Sequence, residues 1–418
     1  MRNKHTISVI ILFLCVVCLS YKGMGSRISS SERVETALTV TDTITSFSLD
    51  SATVNNYNRF AYDFLARANE EIKEDNVLVS PLSLEMLLSL LANGADSVGQ
   101  EEILRYLNIP SLEVLNDMNR RWMWLCGHTG EGNELSLSNS IWTSAVLTVN
   151  EKYKEKMQKD YRATFHPLPD DPRTAMREIN LWADENTKGL IPEFLKIPLP
   201  KSTKFTLYNA SYFKGKWRVS FSETDTRLAP FKTPNGEIQA ETMNTILFYK
   251  SVAYYSCDKY QVIDINYADN LFCMRIILPN KGYTVEDILP IIAGKPVKTE
   301  RCSAEIWLPK FSIRHRMEGL EEILNESGLK YIFTSSGCFF PLTYYAGIFR
   351  EVKMLQESVI ECDEYGTKVA SVTGLGMAYG AGGGAPIPVK VDHPFIFSII
   401  ESKTGAVMFT GIVRDPTK

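Results

Sequence analysis

The chain has 418 residues, of which 44% are hydrophobic and 22% charged, the balance of an ordinary globular protein, so disorder is excluded for its bulk. Its net charge of −4 and the lack of any Lys/Arg block argue against nucleic acid as a partner, which calls for a basic footprint. The apolar content suffices for a sizeable core, in one large domain or in two or three smaller ones.

From the N-terminus, the first feature is an apolar run at residues 7–19 (ISVIILFLCVVCL), led by Arg2, Lys4 and His5 and followed by Ser20, Gly23, Gly25 and Ser26. A basic lead, a short apolar core and small residues after it read as a secretion signal over residues 1–25, cut after Ser20 or Gly25. The run is shorter than the roughly 20 apolar residues of a comfortable transmembrane helix. The alternatives are lipid attachment at Cys15 or Cys18, giving a membrane-anchored lipoprotein, and a retained anchor. Bulky Leu14 and Val17 ahead of those cysteines fit lipidation poorly. Residues 26–50, rich in Ser and Thr, read as a flexible tether.

Residues 51–418 keep a globular texture with no internal repeat and no linker. Phe60, Phe64, Leu65 and Ala68 recur at helical spacing, and Ser83–Leu91 is apolar enough for a buried helix. Ser80-Pro81 supplies that helix with a cap and a first-turn proline. The second half is strand-rich. Phe205–Phe213, Leu271–Leu278, Ala304–Leu308, Phe395–Ile400 and Ala406–Ile412 are β-branched and aromatic runs bounded by turn residues. Several are apolar at both alternating sets, as strands covered on both faces are. The class is α+β, with helices packed around large, mostly antiparallel sheets. Gly374–Pro388 (GLGMAYGAGGGAPIP) breaks the pattern after a strand-like run at Thr367–Thr373. Glycine at that density packs neither as helix nor as strand, and a long uncharged loop in such a domain is usually functional or disordered.

Catalytic and metal signatures do not emerge. There is no HExxH, no GxSxG and no phosphate-binding Gly-x4-Gly-Lys-Ser/Thr. Outside the signal, His128, His166, His315 and His393 stand far apart and read as solvated or packed. The six remaining cysteines, Cys126, Cys257, Cys273, Cys302, Cys338 and Cys362, lack metal-ligand spacing and read as buried free thiols, with one disulfide left open. No cofactor and no metal is expected.

An ordered series of segments resembles the serpin family of protease inhibitors. Asn76–Leu84 (NVLVSPLSL) and Leu90–Ala95 (LLANGA) come first, then Ile179-Asn180-x-Trp182 with Thr187–Ile191 (TKGLI). Asn209–Trp217 (NASYFKGKW), with Phe221, Thr226 and Phe231 after it, is the most specific. Pro309-Lys310-Phe311, Asp392–Phe395 (DHPF) and Phe409-x-Gly411 complete the series. The resemblance implies a serpin-like domain over 51–418 with an exposed reactive-centre loop within residues 364–390. It also implies a sheet-opening region around Ser80, Ser83, Asn209, Trp217 and Gln356. At Gln356 the family often has a histidine hydrogen-bonded to the asparagine matching Asn209, and glutamine can still donate and accept.

By the same resemblance Glu364, Gly366, Thr367, Val369, Ala370, Ser371 and Thr373 form the hinge that enters the main sheet after cleavage. Strand insertion demands that alternate side chains go inward. Here one set is Thr367, Val369, Ser371 and Thr373, all uncharged, while Lys368 belongs to the other. Val369, Ser371 and Val372 replace the usual alanines and Tyr365 is bulky, so slower insertion is an expectation too. Counted from Glu364, the scissile bond falls within Met377, Ala378, Tyr379, Gly380 and Ala381, at Tyr379–Gly380 or Gly380–Ala381. Counted back from Pro394, it falls nearer Gly383–Gly384. Tyr379 suits a chymotrypsin-like pocket, Met377 or Ala378 an elastase-like one, and no Arg or Lys lies between Lys368 and Lys390.

The expected function is therefore a secreted, monomeric suicide-substrate inhibitor, not an enzyme. Its partner is a serine protease, or a cysteine protease, held as a covalent acyl-enzyme. The alternatives are a non-inhibitory serpin-fold carrier and, further off, a secreted hydrolase.

Overall fold

Six of the longer helices start the same way: an Asp, Ser or Asn side chain takes a main-chain N–H that the helix itself leaves unpaired. The computed structural model describes residues 49–418 except 73–74, 131, 295–296, 336, 345–353 and 368–384, with only the main chain at 249–250. The expected secretion signal, most of the expected tether, and the outer part of the expected hinge and scissile region thus lie outside the described residues. Helix α1 (Ser51–Glu71) starts at Asp50, whose carboxylate accepts from Thr53 N–H at 2.8 Å. The last residue assigned to the tether is therefore the cap of the first helix. Phe60, Phe64, Leu65 and Ala68 are all buried along α1, as their spacing predicts. Helix α2 (Pro81–Gly94) is capped by Ser80 and buries all its residues but Asn93. Helices α3 (Ser97–Tyr106), α4 (Leu112–Cys126), α5 (Glu151–Tyr161) and α6 (Pro172–Asn186) begin at Asp96, Ser111, Asn150 and Asp171, each accepting from a main-chain N–H. Helix α7 (Val285–Gly294) lies against α1.

Fifteen strands alternate with and follow these helices among the described residues. Strands β2 (Asn133–Thr143), β3 (Thr164–Pro167), β4 (Phe205–Lys216), β10 (Phe311–Met317), β11 (Gln356–Asp363) and β12 (Gly366–Thr367) form one sheet in the order β10-β11-β12-β4-β2-β3. The other sheet orders β1 (Val77–Val79), β15 (Val407–Val413), β14 (Phe395–Glu401), β8 (Phe272–Pro279), β7 (Tyr260–Asn266), β6 (Gly236–Ser256), β9 (Glu300–Pro309) and β13 (Ile387–Lys390), with β5 (Arg227–Thr233) on β6. Pairing is antiparallel except for β2–β3 and β13–β9. The α+β class with large, mostly antiparallel sheets is therefore the observed one. Strands β14 and β15 are buried at every residue, the outcome expected for runs apolar at both alternating sets.

The main core fills the space between the sheets and α1 and α2. A smaller apolar cluster lies on the opposite face of the six-stranded sheet. There α6 sets Ala175, Ile179, Trp182 and Ala183 against Trp142 of β2 and Tyr208 and Ala210 of β4. The chain leaving α6 continues across the sheet: Ile191, Phe194 and Leu195 join the same cluster, with Val359 of β11 packed against it. The helix and this stretch form a strap from β2 to β11. Of the described cysteines, all six are free; Cys273, Cys338 and Cys362 are buried and the other three half-buried.

Candidate functional site

Strand β11 ends in a tight reversal. Asp363 Oδ1 accepts from the N–H groups of Tyr365 (2.8 Å) and Gly366 (3.1 Å), an aspartate turn of the common kind. The chain then re-enters the sheet. Gly366 pairs with Asp363 on β11 and Lys216 on β4, and Thr367 pairs with Cys362 and Gly215, antiparallel on both sides. Two residues of the expected hinge are thus seated between β11 and β4. Among the described residues these two strands are joined only through β12. Glycine is required at 366: its φ is +150°, and a Cβ there would stand 1.9 Å from the carbonyl oxygen of Gly215.

Thr367 is 1% exposed, with Oγ1 2.7 Å from the Tyr267 hydroxyl. It points into the main core, so the inward set begins at 367. Trp217 braces this corner. Its indole N–H donates to the Asp363 carbonyl at 2.9 Å, its main-chain N–H donates to the Tyr365 carbonyl at 2.9 Å, and its ring stacks on Tyr267 at 4.7 Å. Trp217 therefore stands beside Asp363 and Tyr365 at the turn into Gly366.

Glu364 is buried in the turn. Its carboxylate accepts from the Thr226 hydroxyl at 2.8 Å and lies 3.4 Å from Lys310 Nζ, which also reaches Glu241 at 3.5 Å. Burial works against the charge on Glu364, but its own main-chain N–H, Thr226 and Lys310 outweigh it and hold the carboxyl below its ordinary value. Lys310 responds in kind: burial opposes its charge, yet Glu364 and Glu241 raise it above the usual lysine value.

Beneath the sheet, the residues expected to act together split into two groups. Gln356 Oε1 accepts from Ser80 N–H at 2.9 Å and its Nε2 donates to the Ser80 carbonyl at 2.8 Å. Ser83 donates to Ser211 at 2.6 Å, and Ser80 donates to the Met408 carbonyl at 3.3 Å. Asn209 instead donates to Asn139 Oδ1 at 2.9 Å, and Asn139 donates to the Tyr161 carbonyl at 2.9 Å. The expected Gln356–Asn209 link is thus replaced. Both ends of the glutamine amide engage the Ser80 main chain, which a histidine ring cannot match with one donor and one acceptor so placed. Asn209 Oδ1 and the buried Ser358 Oγ have no hydrogen-bond partner among the described residues.

Of the expected hinge, Glu364, Gly366 and Thr367 converge with Trp217 at one corner. Val369, Ala370, Ser371 and Thr373, and the scissile candidates Met377, Ala378, Tyr379, Gly380 and Ala381, lie outside the described residues. Sequence reasoning missed Thr226, Lys310, Tyr267, Ser211 and Asn139 as members of the site. Thr226 and Lys310 stood in family-like segments, where a buried glutamate's need for a cation and a donor was the available signal. Tyr267 carried none. Among the described residues no group of three His, Cys, Asp or Glu is placed to hold a metal ion. His315 is buried, with Nδ1 2.6 Å from the Leu78 carbonyl oxygen, and burial lowers its pKa. The arrangement is suited to adding a strand to a sheet.

A family profile described as Serpin (serine protease inhibitor) matches residues 55–416. Serpin-Z4 from Arabidopsis thaliana is 28% identical over 376 residues, covering 82% of this chain and 92% of that protein. The thermophilic serpin tengpin in its native state superposes with a TM-score of 0.78 at 23% identity, over 88% of this chain and 95% of that one. Human thyroxine-binding globulin complexed with thyroxine superposes with a TM-score of 0.75 at 20% identity, over 88% of this chain and 99% of that one. These two structural likenesses speak to the fold.

Proposed function

The chain belongs to the serpin family, and on that premise we propose that it is a suicide-substrate inhibitor of serine endopeptidases, with cysteine endopeptidases as a second class of target. The observation that carries this reading is the seat of Gly366 and Thr367 between β4 and β11. A strand continuing from Thr367 keeps both neighbours, and every inward side chain through Thr373 is uncharged. The protease nucleophile attacks the scissile carbonyl, the new amino terminus leaves, and the acyl-enzyme is carried with the loop as residues after Thr367 enter the sheet. Hydrogen bonds on two sides and burial of the inward set drive insertion, and the displaced protease fails to deacylate.

The loop favours chymotrypsin-like and elastase-like targets, because Met377, Ala378 and Tyr379 precede the candidate bonds and no basic residue lies between Lys368 and Lys390. The apolar run at residues 7–19 supports secretion, with lipidation at Cys18 as the other route out of the same leader. A monomer suffices for the mechanism. The domain boundaries proposed are a leader to residue 25, a tether, and the serpin domain from about residue 51. Titrating chymotrypsin-, elastase- and trypsin-like enzymes with the mature chain, and weighing the released C-terminal fragment, tests both activity and bond. Loss of the first two activities in a near 1:1 ratio, with cleavage inside 377–384, is expected; unimpaired proteolysis of all substrates by all three contradicts the proposal.

A second reading, a carrier that does not inhibit, is favoured by one feature. Val369 and Val372 are larger than alanine, and a family member of this fold, thyroxine-binding globulin, binds thyroxine. Cleavage without trapping would support it.

A further inference from the structure

A cleft of about 270 Å³ opens between the end of α1, β10 and a short helix α8 (Leu320–Glu326). Ala68, Ile72 and Ile323 give it apolar walls, and the exposed side chains of Glu71, Glu322 and Glu326 line it with carboxylates. None of these three glutamates makes an ion pair among the described residues. The guanidinium in the lining, that of Arg316, is already paired with Glu318 and Glu357.

The cleft also reaches His315 of β10, which is 7% exposed. Nδ1 of this ring lies 2.6 Å from the Leu78 carbonyl oxygen and 3.4 Å from the Leu78 nitrogen. The shorter contact assigns the ring hydrogen to Nδ1, and burial favours the neutral ring. Nε2, on the opposite edge, therefore carries a lone pair, and it has no hydrogen-bond partner among the described residues. A buried acceptor of that kind is normally paired. Carboxylates and a bare imidazole nitrogen all accept, so the matching ligand brings N–H donors and positive charge, which a cleft of one sign attracts. No three of these groups converge as metal ligands do, and a hydrogen-bonding organic cation can span them. The apolar walls suit an alkyl stem, as they would that of lysine or arginine. The volume falls below the roughly 300 Å³ at which drug-sized pockets begin, which is the scale of one such chain.

We propose that this cleft binds an alkyl ammonium or guanidinium group, its stem against Ala68, Ile72 and Ile323, its charge held by Glu71, Glu322 and Glu326, and an N–H donated to His315 Nε2. The inference does not depend on protease inhibition. A free amine and a basic side chain of another protein offer the same chemistry.

The test is calorimetric titration of the full mature chain at low salt with butylguanidinium, with the blocked peptide Gly-Arg-Gly, and with pentanoate as an anionic chain of similar length. Saturable 1:1 binding of butylguanidinium and none of pentanoate is expected. Glu71→Gln/Glu322→Gln should weaken that binding by about tenfold, the sum of two exposed ion pairs. Glu113→Gln/Glu155→Gln, an equal change of charge outside the cleft, should leave it as it is. In a chain labelled with 15N-histidine, the Nε2 signal of His315 should move on saturation. Peptide bound as tightly as butylguanidinium assigns the site to a protein-borne arginine, and peptide excluded assigns it to a free cation. The inference is overturned by no saturable binding of either cation, by equal losses in the two double variants, or by an unmoved His315 signal.

Discussion

Glu85 sits on α2 in the main core, where its Oε1 accepts from Ser89 Oγ at 2.9 Å and Asn119 Nδ2 at 2.6 Å. Burial raises its pKa from 4.5 to about 8, against the pull of those two hydrogen bonds. No cation pairs with it among the groups that set this shift. The folded chain therefore keeps a proton between pH 4.5 and about 8 that the unfolded chain releases, and Glu85 removes stability as pH rises through that window, at most about 1.4 kcal/mol per pH unit. Glu85→Gln should flatten the stability profile between pH 5 and 8, read as urea midpoints at several pH values. An unchanged slope would show that Glu85 is ionised in the fold. Glu364 has the opposite sign: its lowered pKa gives stability present above 4.5 and lost as pH falls through its folded value. At this scale the sequence was legible where a residue answers to its neighbours in the chain, as Ser80 and Pro81 do. Asn139 pairs with Asn209 across 70 positions, and no local spacing announces that.

Two elements control the seam between β4 and β11: the hinge that occupies its top and the strap that crosses it. Thr367→Arg would place an unpaired charge beside Tyr267 and Cys362 at a site 1% exposed, a cost of several kcal/mol. The variant should remain folded, with its hinge excluded, and should be cleaved as a substrate. Full retention of trapping would contradict insertion through this register. The strap is tethered at both ends. Lys188, following α6, pairs with Glu134 of β2 at 2.6 Å. On the other side Arg314 and Arg316 donate to the carbonyls of Leu190 and Phe194 at 2.7 and 2.6 Å, and both pair with Glu357 of β11 at 2.8 and 2.9 Å. Glu357 is nearly buried, so Glu357→Ala leaves the half-buried Arg316 short of its carboxylate and should destabilise the uncleaved chain by on the order of 3 kcal/mol. Exposed Arg314 contributes less to that figure. Thermal unfolding of the uncleaved variant measures it, and an unshifted transition would mean the strap holds by its apolar contacts alone. Elements themselves were the most readable part of the sequence. The strand expected at Phe205–Phe213 runs on to Lys216, with Gly215 set where the Tyr267 ring would meet any Cβ at 2.5 Å. The strap was not readable, since residues 187–200 carry neither helical nor strand periodicity and are ordered by arginines more than 100 positions away.

For the molecule as a whole, the α+β architecture and the family were both legible, the first from alternating patterns and the second from an ordered series of segments. The hinge's chemistry was legible as well: an uncharged inward set needs only the sequence. What needed three dimensions was the corner that holds the hinge, where Lys310, Thr226, Trp217 and Tyr267 arrive from four separate parts of the chain around Glu364 and Thr367. Together these contacts describe a sheet with a strand position between β4 and β11 that Gly366 and Thr367 begin. The most direct test mixes the mature chain with a chymotrypsin-like or elastase-like protease at equal concentration and boils the mixture in SDS. The account predicts a band at the summed mass of the protease and the N-terminal fragment, with the released C-terminal peptide beside it. Complete cleavage of the chain with free, fully active protease would contradict it.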